Sequence, residues 1–296
     1  MDWSKHGANW PHGQHSRFVN SRPHRWHLQD MGTGPVMLLL HGAGGATHSF
    51  RGMMPLLAQT HRVIAVDLPG HGFTDMSRRG RSGLRPMADD LRALLASQNL
   101  SPQVLVGHSA GAAIALRLAL DLPTPPRAVV SINGALRRFP GVASWLFPLM
   151  AKMLALNPLT AFAFSRTASS RQSVRNLLEG TGSRVDDEGL DLYTSLIGDR
   201  AHVDGALSMM AQWELEEVLP DLDKLPCPVL FLAGGKDRAV PAETSAALSR
   251  RLRNTTLVRW DAEGHLMHEE HPKRTVDAIT AFLGQSDEMR QEARSS

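Results

Sequence analysis

The chain has 296 residues, 42% hydrophobic and 21% charged, which is typical of a globular protein that buries a sizeable core. Its formal net charge of +3 is too small to indicate a nucleic-acid-binding protein. One cysteine, Cys227, excludes an internal disulfide, and we find neither a secretory signal nor an apolar stretch of about 20 residues, so we predict a cytoplasmic protein.

Short apolar runs alternate with helix-length segments along the chain. The runs predict six buried strands, at Val36–Leu40, Val63–Val66, Val104–Val106, Ala128–Ile132, Val229–Leu232 and Thr256–Trp260. The helix-length segments are Pro86–Gln98, Ala110–Leu120, Ala242–Arg251 and Pro272–Leu283. This alternation predicts an α/β protein with a mostly parallel central sheet and helices on both faces.

Residues 135–221 break this rhythm, because they show helical patterns and no clear strand. We predict that they form a helical cap inserted into a core of residues 1–134 and 222–296. Aromatic and methionine side chains in the cap suit a flat apolar ligand or a membrane face, although at helical spacing they suit an ordinary helical core equally well. These side chains are Trp145, Phe147, Met150, Met153, Phe162, Phe164, Met210 and Trp213.

The segments that follow the predicted strands carry the polar residues of interest. The carboxyl ends of parallel strands meet at one edge of a sheet, which is where α/β proteins place their functional sites. The segments HGAGG, DLPGHG, GHSAG, AGGKDRAVP and DAEGH each follow a predicted strand. We therefore expect glycine, serine, aspartate and histidine residues to converge at this edge.

The segment GHSAG has a predicted strand before it and a predicted helix after it, with Ser109 at its centre. A sharp turn from strand to helix exposes the central side chain, and glycines on both sides let the two backbones approach closely. In this context the G-x-S-x-G pattern predicts a nucleophilic serine rather than a purely structural turn.

A serine hydroxyl is a weak nucleophile and needs a base that is itself oriented by an acid. His265 follows the last predicted strand and Asp237 the strand before it, which produces the chain order serine, aspartate, histidine. Asp261 and Glu263 are weaker alternatives for the acid. Asn133 stands at the other place from which an acid could come, but it cannot carry a charge.

The oxyanion of a tetrahedral intermediate needs hydrogen-bond donors beside the nucleophile. The backbone N–H groups of Ala43, in HGAGG, and Ala110, directly after the serine, are the predicted pair. Side chains and backbone around these donors are predicted to contact the substrate, namely His41, Gly42 and His108.

The segment HLMHEEH places His265, His268, Glu269 and His271 close together, and such residues can bind a metal. Pro272 indicates instead that a helix starts beside them. Magnesium in particular prefers oxygen ligands to imidazole. We therefore predict neither a metal site nor a cofactor.

Several motifs resemble those of the α/β-hydrolase superfamily over about residues 20–284, namely LLLHGAGG, VIAVDLPGHGFTD, VLVGHSAGAAIAL, LFLAGGKDRAVP and EGHLMHEEHP. A closer resemblance, to the magnesium-chelatase accessory proteins of bacteriochlorophyll biosynthesis, is carried by MDWSKHGANWP, SRFVNSRPHRWHLQDMGTGP, SINGALRRFPG, NLLEGTGSRVDDEGLDLY and HVDGALSMMAQWEL. This resemblance implies a role beside the enzyme that inserts magnesium into protoporphyrin, without a settled substrate. Arg137 would then suit a porphyrin propionate, although a solvated loop arginine is as common.

Three functions fit these observations. The first is a serine hydrolase of an ester or related acyl bond in the pigment pathway. The second is a non-hydrolytic module that binds a porphyrin or assists the chelatase subunits, and the third is a cofactor-free C–C hydrolase or haloperoxidase-like enzyme. The expected partners are a hydrophobic pigment intermediate and magnesium-chelatase subunits, with peripheral membrane contact through the cap.

Overall fold

The computed structural model describes residues 1–76, 80–137, 170–215 and 218–295, and it contains one eight-stranded sheet. The strands are β1 (Ser16–Ser21), β2 (His24–Met31), β3 (Val36–Leu40), β4 (Arg62–Val66), β5 (Val104–His108), β6 (Ala128–Ile132), β7 (Val229–Gly234) and β8 (Thr255–Trp260). Their order across the sheet is β1-β2-β4-β3-β5-β6-β7-β8. Strands β3 to β8 are parallel, whereas β1 and β2 pair antiparallel and β2 is antiparallel to β4.

The described α-helices are, in chain order, α1 (Trp3–His6), α2 (Met54–Leu57), α3 (Leu84–Ser97), α4 (Ala110–Asp121), α5 (Arg171–Gly180), α6 (Asp187–Gly198), α7 (Arg200–Ala211), α8 (Glu243–Arg251), α9 (Met267–Glu270) and α10 (Pro272–Ser295). Helices α3, α4, α8 and α10 correspond to the four segments predicted as helices. Among these residues, no helix combines the length and the apolar character that crossing a membrane requires.

The mostly parallel sheet predicted from the sequence is confirmed, and all six predicted strands are present. The sequence pattern missed β1 and β2. Buried polar side chains interrupt the apolar pattern of β2, because His27 and Gln29 point inward and find partners there. His27 Nδ1 lies 2.7 Å from the buried carboxylate of Asp67, and Gln29 Nε2 donates to Pro11 O.

Both faces of the sheet are buried, which explains the continuous apolar runs of its central strands. In β3, Leu38 and Leu40 join the hydrophobic cluster that includes α3 and α4, while Met37 and Leu39 join the cluster that includes α10. Each fully buried side chain of this size contributes roughly 1.5–3 kcal/mol to stability. The strands are thereby held in one register, with their carboxyl ends at one edge.

Helices α5, α6 and α7 follow β6 and precede β7, within the range predicted to be a cap. A third hydrophobic cluster joins α5 and α6 to the N-terminal segment through Trp10, Val174 and Leu190. The boundaries of the cap stay a prediction. Six of its predicted ligand-facing side chains lie outside the described residues, namely Trp145, Phe147, Met150, Met153, Phe162 and Phe164.

Candidate active site

Ser109 lies at the turn between β5 and α4 and has backbone angles φ 52° and ψ −117°. A positive φ is unfavourable for a residue with a side chain and persists only where surrounding contacts impose it. Here Ser109 N–H donates to Ile132 O at 2.9 Å, and Ser109 O accepts from the N–H groups of Ala112 and Ala135. These bonds lock the turn and leave the Ser109 side chain partly exposed.

The two glycines of the motif make this turn sterically possible. A Cβ added to Gly107 would lie 2.3 Å from Gly111 O, and one added to Gly111 would lie 2.2 Å from Leu40 O. Both distances are far below van der Waals contact with rigid backbone. The predicted reason for the spacing, close approach of strand and helix, is therefore what the geometry shows.

His265 and Asp237 lie after the neighbouring strands β8 and β7, and they form a hydrogen-bonded pair. His265 Nδ1 lies 2.7 Å from Asp237 Oδ2. The other carboxylate oxygen, Oδ1, accepts from Ala239 N at 2.8 Å and from Val240 N at 2.7 Å. Because an ionised carboxylate only accepts, the bond assigns the proton to Nδ1 and leaves Nε2 able to take up another.

The two alternative acids are engaged elsewhere. Asp261 is 83% exposed and pairs with Arg259. Glu263 lies 2.8 Å from both Arg274 Nη1 and His271 Nε2. Asp237 is therefore the acid that the fold brings to His265.

The loop that carries His265 is tied to the serine turn through two buried side chains. His108 Nε2 donates to His265 O at 2.9 Å, and the two imidazole rings lie 4.7 Å apart. Asn133 Nδ2 donates to both Gly264 O and His265 O at 2.9 Å. Among the described hydrogen bonds none joins the Ser109 hydroxyl to the His265 ring, a contact that commonly tightens only when substrate binds.

From the sequence, Asn133 is predicted only to be unable to act as the acid. Its side chain is 2% exposed, and its Oδ1 accepts from Gly234 N at 2.7 Å, so it joins the ends of β6 and β7 to the His265 loop. Its place directly after a strand was the available signal. Its three partners lie more than 100 residues away and were not visible in the sequence.

The glycine loop after β3 lies directly against the serine turn. A Cβ on Gly42 would lie 2.9 Å from Ser109 Cβ and 3.0 Å from His108 Nδ1. Neither the Ala43 N–H nor the Ala110 N–H donates to another group in the described part of the chain. The Ala110 N–H also opens α4, where the helix carries a partial positive charge. This arrangement suits the predicted oxyanion donors.

His41 holds this loop in place instead of offering a free nitrogen to a substrate. Its Nδ1 donates to Gly42 O at 2.7 Å, and its Nε2 accepts from Leu68 N at 2.9 Å. The ring is fully buried, and burial lowers the pKa of His41. Both ring nitrogens are therefore engaged within the chain, and the substrate contact predicted for His41 from the sequence stays a prediction.

His202, on α7, connects the cap helices to the same loop, although the sequence ranked it below His265. Its Nδ1 accepts from Gly72 N at 3.0 Å, and its Nε2 donates to Gly44 O at 3.1 Å. Burial lowers the pKa of His202 to about 4, so the ring is neutral near pH 7. The position of α7 over the glycine loop thus depends on an uncharged imidazole.

Three further residues predicted to bind substrate are Arg137, Met210 and Trp213. Arg137 is exposed, and Met210 is 42% exposed on α7. Trp213 packs against the hydrophobic cluster that includes α4. No described hydrogen bond, ion pair or ring contact joins these three to Ser109, His265 or Asp237, and their role in binding stays a prediction.

The side chains of HLMHEEH diverge. Glu269 accepts from Arg51 Nη1 at 2.9 Å and from the Tyr193 hydroxyl at 2.7 Å, and burial raises the pKa of its carboxyl. His271 pairs with Glu263 instead. Across residues 1–76, 80–137, 170–215 and 218–295, no group of three or more histidine, cysteine or acidic side chains is arranged to hold a metal ion.

His268 is fully buried, and neither of its ring nitrogens has a hydrogen-bond partner. The ring lies 4.3 Å from the His108 ring and 5.6 Å from that of Phe50. Burial, followed by the charges of His265 and Arg51, lowers the pKa of His268 to about 3. The imidazole therefore acts as an apolar packing element at neutral pH.

We expect the His268→Phe variant to lose less stability in acid than the wild type. The unfolded chain takes up a proton at His268 near pH 6.5 and the folded chain only near pH 3, so the free energy of unfolding falls as the pH drops between these values. Between pH 7 and about pH 5, protonation of His268 in the unfolded chain lowers the free energy of unfolding by about 2 kcal/mol. Urea unfolding at pH 7 and pH 5 measures this loss of stability. The control is His15→Phe, because His15 is partly exposed. If wild type and His268→Phe lose equal stability between the two pH values, the expectation is wrong.

The chain is similar in sequence to known proteins over most of its length. The sequence profile described as alpha/beta hydrolase fold matches residues 35–272. The chain is 49% identical over 264 residues to the magnesium-chelatase 30 kDa subunit of Rhodobacter capsulatus, covering 88% of this chain and 92% of that protein. It is 30% identical over 277 residues to the 2-hydroxymuconate semialdehyde hydrolase of Pseudomonas sp. (strain CF600), covering 89% and 92% of the two chains.

Among solved structures, an alpha/beta hydrolase fold protein from Burkholderia ambifaria matches with a TM-score of 0.72 and 24% identity, over 90% of this chain and 99% of that one. This likeness supports the fold alone. The profile match and the 49% identity confirm both resemblances stated from the sequence. The chain therefore belongs to the alpha/beta hydrolase fold family, and it is related over most of its length to the magnesium-chelatase 30 kDa subunit.

Proposed function

We propose that this protein is a serine hydrolase that cleaves an ester or related acyl bond and acts in bacteriochlorophyll biosynthesis. The observation that carries the proposal is the 2.7 Å bond between His265 Nδ1 and Asp237 Oδ2. This bond leaves Nε2 as the basic nitrogen, in a loop that His108 ties to the turn of Ser109. The three residues have the types and the chain order of a hydrolase triad.

In the proposed reaction, Ser109 Oγ attacks the acyl carbon of the substrate while His265 Nε2 takes the hydroxyl proton. Asp237 stabilises the imidazolium that forms. The N–H groups of Ala43 and Ala110 stabilise the oxyanion of the tetrahedral intermediate. The intermediate then expels the leaving alkoxide, which takes the proton from His265, and an acyl-enzyme remains.

A water molecule completes the cycle. His265 Nε2 removes a proton from the water as its oxygen attacks the acyl carbon, and the same nitrogen then returns the proton to Ser109 Oγ as the acid product leaves. No metal or cofactor takes part in this scheme. Hydrogen bonds from Ala43 and Ala110 act again on the second tetrahedral intermediate.

The place of this reaction in pigment synthesis is supported by the 49% identity to the magnesium-chelatase 30 kDa subunit. We propose that the substrate is a hydrophobic magnesium-porphyrin intermediate or a compound derived from one. Arg137, exposed after β6, is the proposed partner of a propionate carboxylate. We place the protein in the cytoplasm, with the predicted cap as the face for membrane contact.

A fluorophosphonate probe tests the proposed nucleophile, because it phosphonylates a serine only where a base activates the hydroxyl. We expect labelling of the wild type at Ser109 and none of Ser109→Ala. The control is Ser131→Ala, which removes a buried hydroxyl on the neighbouring strand β6. Labelling that persists in Ser109→Ala, or a wild type that never reacts, contradicts the proposal.

A second candidate is a non-hydrolytic module that assists the magnesium-chelatase subunits, and the relative of Rhodobacter capsulatus favours it. A comparison of pigment intermediates in cells that carry wild type or Ser109→Ala separates the two. Accumulation of one intermediate with a folded variant supports the hydrolase and identifies its substrate. Normal pigment in cells with Ser109→Ala supports the accessory module.

A third candidate is a C–C bond hydrolase, favoured by the 30% identity to 2-hydroxymuconate semialdehyde hydrolase. Such an enzyme uses the same three residues but releases a carbon acid instead of an alcohol. To decide between the two enzymatic functions, wild-type protein is added to the intermediate that accumulates with Ser109→Ala, and the products are identified. An alcohol and a carboxylic acid in equal amounts indicate ester hydrolysis.

A further inference from the structure

The turn that joins α5 to α6 lies against the loop that carries Asp237. This turn, residues 181–184, belongs to the motif NLLEGTGSRVDDEGLDLY. Arg238 N–H donates to Thr181 O at 3.0 Å. Gly182 has φ +89°, and a Cβ at this position would lie 2.1 Å from Lys236 O. The turn therefore contacts the residues on both sides of Asp237 along the chain.

The same turn also contacts the loop that carries His265. Ser183 Oγ accepts from Leu266 N at 2.7 Å, and the serine is 0% exposed. A Cβ on Gly264 would lie 2.2 Å from Gly182 O. The turn thus contacts the residues on both sides of His265 as well.

Further bonds hold the turn and its helix against α9. Arg184 N–H donates to the Glu270 carboxylate at 2.6 Å. The Tyr193 hydroxyl, on α6, donates to Glu269 at 2.7 Å. These bonds hold the turn and α6 against α9, so the position of the turn does not depend on Gly182 and Ser183 alone.

A hydrogen bond between side chains of two separate loops needs both loops to be held to within a few tenths of an ångström. The two loops are already joined near their starts, because Lys236 N–H donates to Glu263 O at 2.8 Å, and Asn133 joins Gly234 to the His265 loop. The turn adds contacts to the residues directly on both sides of Asp237 and of His265. The buried hydroxyl of Ser183 contributes directly, because it accepts a hydrogen bond from a backbone N–H of the His265 loop that would otherwise lack a partner.

We propose that Gly182 and Ser183 are positioning residues that hold the loops of Asp237 and His265 in the relative position that their hydrogen bond requires, an inference that rests on the proposed function. The turn acts through the two loops and does not contact the reacting atoms. It lies between two helices of the predicted cap. The cap is thereby connected to the base and the acid as well as to the glycine loop.

The test compares wild type with Ser183→Ala by two measurements. The first is the low-field proton NMR signal of the His265 Nδ1 proton, assigned by its absence from a His265→Ala variant. The second is the rate of fluorophosphonate labelling of Ser109 as a function of pH. We expect Ser183→Ala to shift or broaden the proton signal, to slow labelling about tenfold and to move the pH profile of labelling.

The control is Ser286→Ala, which removes another buried serine hydroxyl bonded to backbone, in this case on α10. It is expected to leave both measurements unchanged. If Ser183→Ala does not fold, Ser183→Cys replaces it, because a thiol fills the site but is only a weak acceptor. A smaller change in the same direction is then expected.

An unchanged proton signal and an unchanged pH profile in a folded Ser183 variant overturn the inference. A wild type that shows the proton signal but is never labelled overturns the proposed function instead. The signal reports the bond between His265 and Asp237 whether or not Ser109 is a nucleophile. The two proposals therefore fail by different measurements.

Discussion

In the Asp237→Asn variant, Ser109 is expected to be acylated about 10⁴-fold more slowly than in the wild type. Asp237 Oδ1 receives two backbone N–H groups, from Ala239 and Val240. In the variant, the side-chain oxygen of the asparagine has to occupy the position of Oδ1, because an NH2 group in that position would face two N–H donors. The asparagine NH2 then points at His265 Nδ1 and makes that nitrogen an acceptor. The imidazole proton moves to Nε2, which can no longer take the proton of Ser109.

Stopped-flow measurement of fluorophosphonate labelling, or of the acylation burst with an activated ester, gives the rate. Asp261→Asn is the matched control, since Asp261 follows the neighbouring strand but is exposed and paired with Arg259. It is expected to react as fast as the wild type. If Asp237→Asn retains most of the rate while Asp261→Asn loses it, the acid has been assigned to the wrong residue.

The Asn133→Asp variant is expected to lower the free energy of unfolding by about 3–5 kcal/mol near pH 7. Asn133 Nδ2 donates to the carbonyl oxygens of Gly264 and His265, and a carboxylate oxygen there would face two acceptors. The side chain is buried, so the new charge has no solvent. Protonation of the new carboxylate restores one hydrogen-bond donor. The difference in free energy of unfolding between variant and wild type is therefore expected to narrow as the pH falls.

Denaturant unfolding at several pH values measures this effect. Asn254→Asp is the matched control, because Asn254 has a positive φ of 54°, similar to the 45° of Asn133, but is exposed in the turn before β8. We expect its stability to stay within about 0.5 kcal/mol of wild type. Equal losses of stability in the two variants would show that the positive φ, and not the two hydrogen bonds of the Asn133 side chain to the His265 loop, determines the effect.

Local patterns were sufficient for the parallel part of the fold. Strands β3 to β7 are almost wholly buried on both faces and therefore read as apolar runs, which are visible within a short window. The strand predicted at Thr256–Trp260 is present as β8, but it lies at the sheet edge and only Trp260 in it is buried, so its prediction as a buried strand was wrong. Both antiparallel strands were missed, and in β2 the reason is that His27 and Gln29 are buried through partners 40 and 18 residues away in the chain. A polar residue looks exposed in sequence unless its partner is known.

The candidate site divides in the same way. The turn at Ser109 was predictable, because its pattern of serine and glycines between a strand and a helix is local, and Gly107 is needed by contact with nearby Gly111. The contact of Gly111 with Leu40 O, on another strand, was not visible in the sequence. The choice of Asp237 over Asp261 and Glu263 followed from strand order alone, without a distance. Roles for Asn133 and Ser183 were not predictable, because each bonds to backbone that is at least 83 residues away in the chain.

The sequence by itself determined the α/β class, the strand-to-helix turn at Ser109 and the set of residues at the carboxyl ends of the strands. Only the tertiary structure showed that Asp237 contacts His265 and what holds the two together. The reason is physical: side-chain periodicity and steric limits act between neighbours in the chain, whereas a 2.7 Å hydrogen bond between two loops depends on every contact that positions them.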